Sequence, residues 1–222
     1  MANLIYNTYR FLFSRKFFYK LNRFLFYLSL KGLGILNYES YKVSGEEYAM
    51  KKCIKSKNNM IIFDIGANIG SYSKKILEIN SDAIIYAFEP HPQNYQKLIT
   101  NINCKQFKAY NYAVGSKTGE TLLYDYKDVN GSTHASIYKD VIEKIHNKAS
   151  DNCKVETVRL DEFCLKNQVA KIDFLKIDTE GNELDVLLGI RDYIKLGKIA
   201  YIHFEFNEMN VVSKTFFNDF WE

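Results

Sequence analysis

The sequence predicts an α/β fold, a largely parallel sheet covered by helices on both faces and preceded by a helical arm. Two observations carry that reading. Four near-continuous apolar runs, Met60–Phe63, Ala83–Phe88, Ile172–Ile177 and Ile199–Phe206, alternate with amphipathic stretches. Strands without polar alternation are buried on both sides, as in a parallel sheet between two helical layers. Within that pattern, residues 60–90 read MIIFDIGANIGSYSKKILEINSDAIIYAFEP: strand, glycine-bearing turn, helix, strand, terminal acid. The chain has 222 residues, 47% hydrophobic and 25% charged, which suits one domain with an appendage.

The elements follow in order. Residues 1–31 are dense in aromatic side chains and cations and read as a helix, with Lys16, Lys20 and Arg23 on one stripe. The first 38 residues hold six cations and no acid, so the rest of this +4 chain carries a net −2. Basic character therefore belongs to the arm, and no nucleic-acid partner is expected. The arm's longest unbroken apolar stretch, Phe24–Leu28, falls far short of the roughly 20 residues that span a bilayer, and no signal-peptide cleavage site is recognisable. Three roles stay open for it: packing on the body, pairing in a homodimer, or lying on an anionic membrane surface. Gly32 and Gly34 mark a break before a second helix near Gly45–Lys55, which divides the chain into an arm, 1–45, and a body, 46–222.

In the body, strands are expected over 60–65, 83–88 and 106–112, with helices over 70–80 and 91–103. Two β-rich runs, Glu120–Tyr126 and Lys154–Leu160, bracket a polar segment, 128–151, and read as antiparallel additions. A helix over 161–168 leads to strand 172–177, a helix from about Asn182, and strand 199–206. Val211–Trp221 reads as a last helix with Phe216, Phe217 and Phe220 on its apolar side. Cys53, Cys104, Cys153 and Cys164 show no metal spacing and suit reduced thiols in a cytoplasmic protein, with the arm allowing peripheral membrane contact.

The turn narrows the ligand. Strand, glycine turn, helix and a terminal acid make a nucleotide-binding βαβ unit, and Glu89 stands about twenty residues past the turn, where a carboxylate can accept both ribose hydroxyls. Gly66 lets the backbone leave the strand sharply, and Gly70 lets the helix start approach a ligand. Dinucleotide enzymes use G-x-G-x-x-G to seat a diphosphate on the backbone. Here Asp64, Gly66, Ala67, Asn68 and Gly70 give D-x-G-x-x-x-G without the middle glycine. That suits a nucleoside lacking a diphosphate, S-adenosylmethionine (SAM) above all. A nicotinamide-dependent reductase or epimerase is the alternative that the missing glycine opposes. A non-catalytic SAM-binding domain docked through the arm is another.

Beyond the turn, the chain resembles the FkbM family of SAM-dependent methyltransferases. The resemblance rests on FDIGANIGSYS (63–73), AFEPHPQNYQKL (87–98), NYAVGSKTGE (111–120), VRLDEF (158–163), FLKIDTEGNELDVLLG (174–189) and HFEFN (203–207). It implies a class I, Rossmann-like methyltransferase fold, SAM as donor, and O-methylation of a hydroxyl on a sugar, glycolipid or polyketide-like acceptor. By the same resemblance, Asp64, Gly66, Ala67, Asn68 and Gly70 line the methionine and ribose end of the cofactor. Glu89, followed by Pro90, holds the ribose, Asn111 and Ala113 lie near adenine, and Asp178 reaches the reaction centre. A class I sheet has seven strands, whereas only sixteen residues follow Phe206. The last β-hairpin is therefore expected to be missing, leaving strand 199–206 as an edge that a second chain or the arm should cover.

Methyl transfer needs donor and acceptor aligned and a hydroxyl proton removed. Asp178 is the best candidate base, and its bland role is to cap the helix begun by TEGNEL. Glu205 ends the next strand and could face Asp178; two such carboxylates could hold Mg²⁺, although no full ligand set is visible. His134, in the loop sequence GSTHASIY, is a further base candidate. His203 reads as a satisfied core histidine, His91 as part of the turn at Glu89, and Glu180 and Glu183 as helix-start charges.

Overall fold

The computed structural model describes residues 2–35, 40–54, 58–129 and 131–221, and the chain divides into two compact units, Met1–Lys52 and Cys53–Glu222. In the first unit, α1 (Ala2–Phe13) is followed by a 3₁₀ turn, Lys16–Phe18, and α2 (Tyr19–Gly32). The single expected helix is thus broken at Ser14–Arg15. Asn22 fastens the break: its Nδ2 donates to Phe13 O at 2.9 Å and its Oδ1 accepts from Tyr9 OH at 2.6 Å. Lys16 falls in the turn, so the three cations do not share one helical stripe. Leu4, Ile5, Phe11, Phe17, Phe24 and Phe26 are each more than half exposed. Among the described residues, no helix is long and apolar enough to cross a membrane.

A short helix α3 (Tyr41–Ser44), with Ser40 accepting from Val43 N, ends at Gly45 in the left-handed region, and α4 (Glu46–Ile54) begins there. Lys55, the expected end of that helix, lies outside the described residues, as does Asn130 of the polar segment.

The second unit runs β1 (Ile61–Ile65), α5 (Ser71–Ile79), β2 (Ile84–Phe88), α6 (Pro92–Asn101), β3 (Phe107–Tyr110), β4 (Ala113–Gly115), β5 (Gly119–Tyr126), a π-helical turn Val141–Ile145, and β6 (Ser150–Arg159). It continues through α7 (Leu160–Lys166), β7 (Phe174–Ile177), α8 (Glu183–Leu188), α9 (Arg191–Lys195), β8 (Ile202–Phe204) and α10 (Met209–Ser213). Five strands form a parallel sheet in the order β3-β2-β1-β7-β8, the Rossmann-like arrangement expected. The chain winds outward from β1 to β3 and then returns beside β1 as β7. That reversal is a topological switch point, and ligands of such sheets bind outside the carboxyl ends of the strands there. The apolar runs explain the order: β1 and β7, at the centre, are almost wholly buried and pack Phe63, Ile65, Leu175 and Ile177 into one core with Phe88 and Phe163.

Several boundaries differ from expectation for local reasons. The third strand stops at Tyr110, because Asn111 Nδ2 donates to the carbonyls of Glu89 and Pro90 at 2.8 and 2.9 Å and turns the chain. Ala113–Gly115 then joins a second, three-stranded sheet, β4-β6-β5, in which β5 and β6 are antiparallel as expected and β4 pairs with β6 in parallel. Leu160 starts α7 instead of ending the strand. β8 keeps only three residues, with Ile199 bridged to Ile172 upstream of it, and it forms one edge of the sheet. The last helix is split: α10 ends at Lys214 in the left-handed region and a 3₁₀ turn, Phe217–Trp221, follows. Phe217 and Phe220 stack on Phe204 and meet Phe206 edge-on, whereas Phe216 turns outward.

Candidate active site

The turn after β1 meets the end of β7 backbone to backbone. Gly66 has φ +75°, and a Cβ there would lie 1.7 Å from the carbonyl oxygen of Asp178, so no side chain fits. Gly66 N and Ala67 N both donate to Phe88 O at 3.0 Å, tying β1 to β2. Gly70, at φ +91°, starts α5; that left-handed backbone favours glycine, and a Cβ there would also press on the ends of the Ile102 and Leu98 side chains. Asn68 N donates to Glu89 Oε2 at 2.7 Å, and His91 N donates to Glu89 Oε1 at 2.8 Å. Glu89 is only 4% exposed. Burial pushes its carboxyl up to about 7, against the pull of the two N–H donors and Lys176. A carboxylate that accepts two bonds keeps free lone pairs for a ribose.

A buried lysine organises the other side. Lys176 Nζ donates to Gly66 O at 3.1 Å and lies 3.4 Å from Asp64 Oδ1, 3.3 Å from Asp178 Oδ2 and 5.3 Å from the Tyr72 ring centroid. Asp64, fully buried, takes its other bond from Ser73 Oγ at 2.6 Å. Asp64 is therefore a core anchor that holds Lys176 beneath the turn. Tyr72 OH lies 2.9 Å from His203 Nδ1, the satisfied histidine expected.

Asp178 and Glu205 do face each other, and their carboxyls are hydrogen-bonded. Burial raises Asp178, but Lys176, the bond from Glu205 and His203 outweigh it and leave its carboxyl below the ordinary value. Glu205 is pushed up to about 8, by desolvation of its carboxyl first and then by the neighbouring Asp178 charge. The environments thus drive the two carboxyls apart, Asp178 toward the anion and Glu205 toward the acid. The cation placed beside this pair is the ammonium of Lys176, 3.3 Å from Asp178 Oδ2. Asp178 does not cap the helix, and Asn182, which stands at its N-cap, makes no side-chain cap bond. Glu183 Oε1 instead braces the loop that leads into the helix, accepting from Thr179 N, Thr179 Oγ1 and Gly181 N at 2.9, 3.0 and 3.1 Å. The side chain of Asp178 is left 40% exposed beside Glu205.

The polar segment crosses this end of the sheet. Ser132 O accepts from Asn68 Nδ2 at 3.3 Å and from Asn94 Nδ2 at 2.9 Å, and Ser136 Oγ donates to Glu180 O at 2.8 Å. His134 Nδ1 lies 3.0 Å from Glu180 Oε1, and that bond raises the His134 pKa. The structure thus brings His134, Asp178 and Glu205 into one electrostatic neighbourhood, with Glu180 added. Glu180, read as a helix-start charge, instead turns toward His134 from a left-handed backbone, φ +53°. Ala113 is buried with Leu123 and Val155 under the second sheet, and Asn111 is engaged by the Glu89–Pro90 backbone. The residue that sequence reasoning missed is Lys176. Its signal was a lysine inside the apolar strand FLKI, where every residue is buried.

The five-stranded parallel sheet, its switch point and the glycine turn after β1 define a Rossmann-like fold. Residues 64–221 match the methyltransferase FkbM domain, and the chain belongs to that family of methyltransferases. It is 26% identical to the 2-O-methyltransferase NoeI of Sinorhizobium fredii over 70% of this chain and 66% of that protein. It is 23% identical to the hexuronic acid methyltransferase AglP of Haloferax volcanii, over 68% of this chain and 59% of that protein. A third relative, methyltransferase sdnD of Sordaria araneosa, is 28% identical over 60% and 61% of the two chains. The chain thus spans about three fifths to two thirds of these relatives' lengths. A methyltransferase assignment removes the reductase reading.

Proposed function

We propose that this methyltransferase takes its methyl group from SAM and places it on a hydroxyl of a sugar-containing acceptor. The observation that carries the reading is the Asp178–Glu205 pair at the switch point, where Lys176 and Glu205 hold one carboxyl below its ordinary value and burial with the Asp178 charge pushes the other up to about 8. The donor set fits a sulfonium: Asp178, held below the ordinary carboxylate range, presents anionic oxygens at the strand ends, and Glu89 offers lone pairs to a ribose. SAM, when bound, supplies an electrophilic methyl group. The chain's own residues do the rest. The carboxylate pair orients the acceptor hydroxyl and takes its proton as the new oxygen–carbon bond forms. Lys176 and the Gly66 carbonyl keep Asp178 in place. A sugar hydroxyl is favoured because two relatives are named for methylation at a 2-O position and on a hexuronic acid.

Calorimetry on the full chain tests the donor. SAM should bind and NAD should not, and Glu89→Ala should weaken SAM by about 2–3 kcal/mol without unfolding the protein. Only the ionised carboxylate accepts both ribose hydroxyls, so affinity should rise from about pH 6 to about pH 8 as Glu89 ionises, and Glu89→Gln should flatten that rise. Equal affinity in Glu89→Ala would remove this unit from donor binding.

The arm suits an acceptor carried on lipid. Six cations, no acid and a set of exposed aromatic side chains fit an anionic membrane surface, where rings enter the interface and cations meet headgroups. The chain should sediment with phosphatidylserine vesicles at low salt and come off as salt rises. No binding at low salt would return the arm to packing or to a homodimer interface.

A further inference from the structure

We propose that His134, His146 and Glu180 bind one divalent transition-metal cation, independently of the methyl donor. One ligand atom from each of the three lies within 4.8 Å of the others, and the site is empty. His134 Nδ1 and Glu180 Oε1 are already 3.0 Å apart. Ligands about 2.0–2.1 Å from a tetrahedral metal are separated by about 3.4 Å, so small rotations of one imidazole complete the set.

Three features make this more than a chance meeting of surface groups. His146 Nε2 and Glu180 Oε2 are both buried and have no hydrogen-bond partner, an arrangement folded proteins seldom leave without a purpose. The backbone is unusual at both: His146 follows the π-helical turn Val141–Ile145 and donates to Val141 O, and Glu180 sits at φ +53°. π-helical turns and left-handed non-glycine residues concentrate at functional sites. The two imidazoles also lie together, ring centroids 4.7 Å apart, with His146 edge-on to Tyr126 at 5.7 Å. Ser136 Oγ fixes the Glu180 carbonyl from the same strap that carries His134.

Ligand chemistry selects the cation. Two imidazole nitrogens and one carboxylate oxygen suit zinc and its first-row neighbours, not the all-oxygen shells of Mg²⁺ or Ca²⁺. Three protein ligands leave a position open, and the His134 side chain is 41% exposed, so that position is reachable from solvent.

The test uses the full chain, stripped with a chelator and titrated with Zn²⁺ by calorimetry and with Co²⁺ by visible spectroscopy. One equivalent should bind, with cobalt ligand-field bands and no thiolate charge-transfer band. His146→Ala and Glu180→Gln should weaken binding by about 100-fold or more. Because His146 is packed, His134→Gln on the exposed strap gives a second reading should His146→Ala fail to fold. No saturable binding, wild-type affinity in His134→Gln, or a thiolate band from the free cysteines would each overturn the site. SAM is absent from the titration, so a failure here leaves the donor reading standing, and a failure of donor binding leaves this one standing.

Discussion

Lys176→Met is expected to destabilise the body by about 3–5 kcal/mol, the largest effect of any single substitution at this site. Methionine matches the lysine stem in length and polarity, so packing of the strand is kept and the lost group is the ammonium. What remains is the problem. Asp64 is fully buried, and its Oδ1 has no hydrogen bond, only the ammonium 3.4 Å away. Removing the cation leaves a buried carboxylate without compensation, which proteins tolerate poorly. The Gly66 carbonyl and Asp178 lose the same partner. Urea unfolding should show a lower midpoint with an unchanged slope. Lys176→Met combined with Asp64→Asn should recover much of the loss, since the only charge left without the ammonium is that of Asp178, whose side chain is 40% exposed, and Ser73 keeps a partner. A loss below about 1 kcal/mol in the single variant would mean that Asp64 does not depend on the lysine.

The parts of this site carried by chain direction were legible, and the parts carried by side-chain direction were not. Apolar runs without alternation located the strands, and Asp178 and Glu205 could be placed face to face because both end neighbouring parallel strands. Glu89 likewise followed from its distance along the chain. Lys176 was hidden because, in a run of hydrophobic letters, one lysine reads as an interruption. Its purpose exists only where Asp64, Gly66 and Asp178 converge from two strands. Glu180 and Glu183 are indistinguishable by local propensity, yet a left-handed backbone at Glu180 sends it to the strap while Glu183 folds back on Thr179. His146 meets His134 across a loop whose path no periodicity encodes. The arm broke for a similar reason: the bond from Asn22 to Phe13 O is a long-range choice that outweighs helix propensity at Ser14.

Asp178→Asn is expected to cut turnover by about 10²-fold or more, with SAM affinity within a few-fold of the wild type. Asparagine keeps the shape and the Lys176 contact but cannot take the proton of the acceptor hydroxyl. The pH dependence then separates chemistry from damage. In the wild type, Glu205 is pushed up to about 8, partly by the Asp178 charge, so the rate should climb as pH rises toward that value and Glu205 gives up its proton. With a neutral amide at 178 that repulsion is gone, Glu205 ionises more readily, and the ascending limb should move to lower pH. A variant that was merely misfolded in part would scale the whole profile down and leave the limb where it was. The measurement is the pH profile of kcat for both proteins on any acceptor that the wild type methylates. Lost SAM affinity with normal turnover would make Asp178 a donor ligand, and an unmoved limb would take Glu205 out of the proton transfer. Under either result the bond between the carboxyls at the ends of β7 and β8 would be structural and not the acid–base device argued for it.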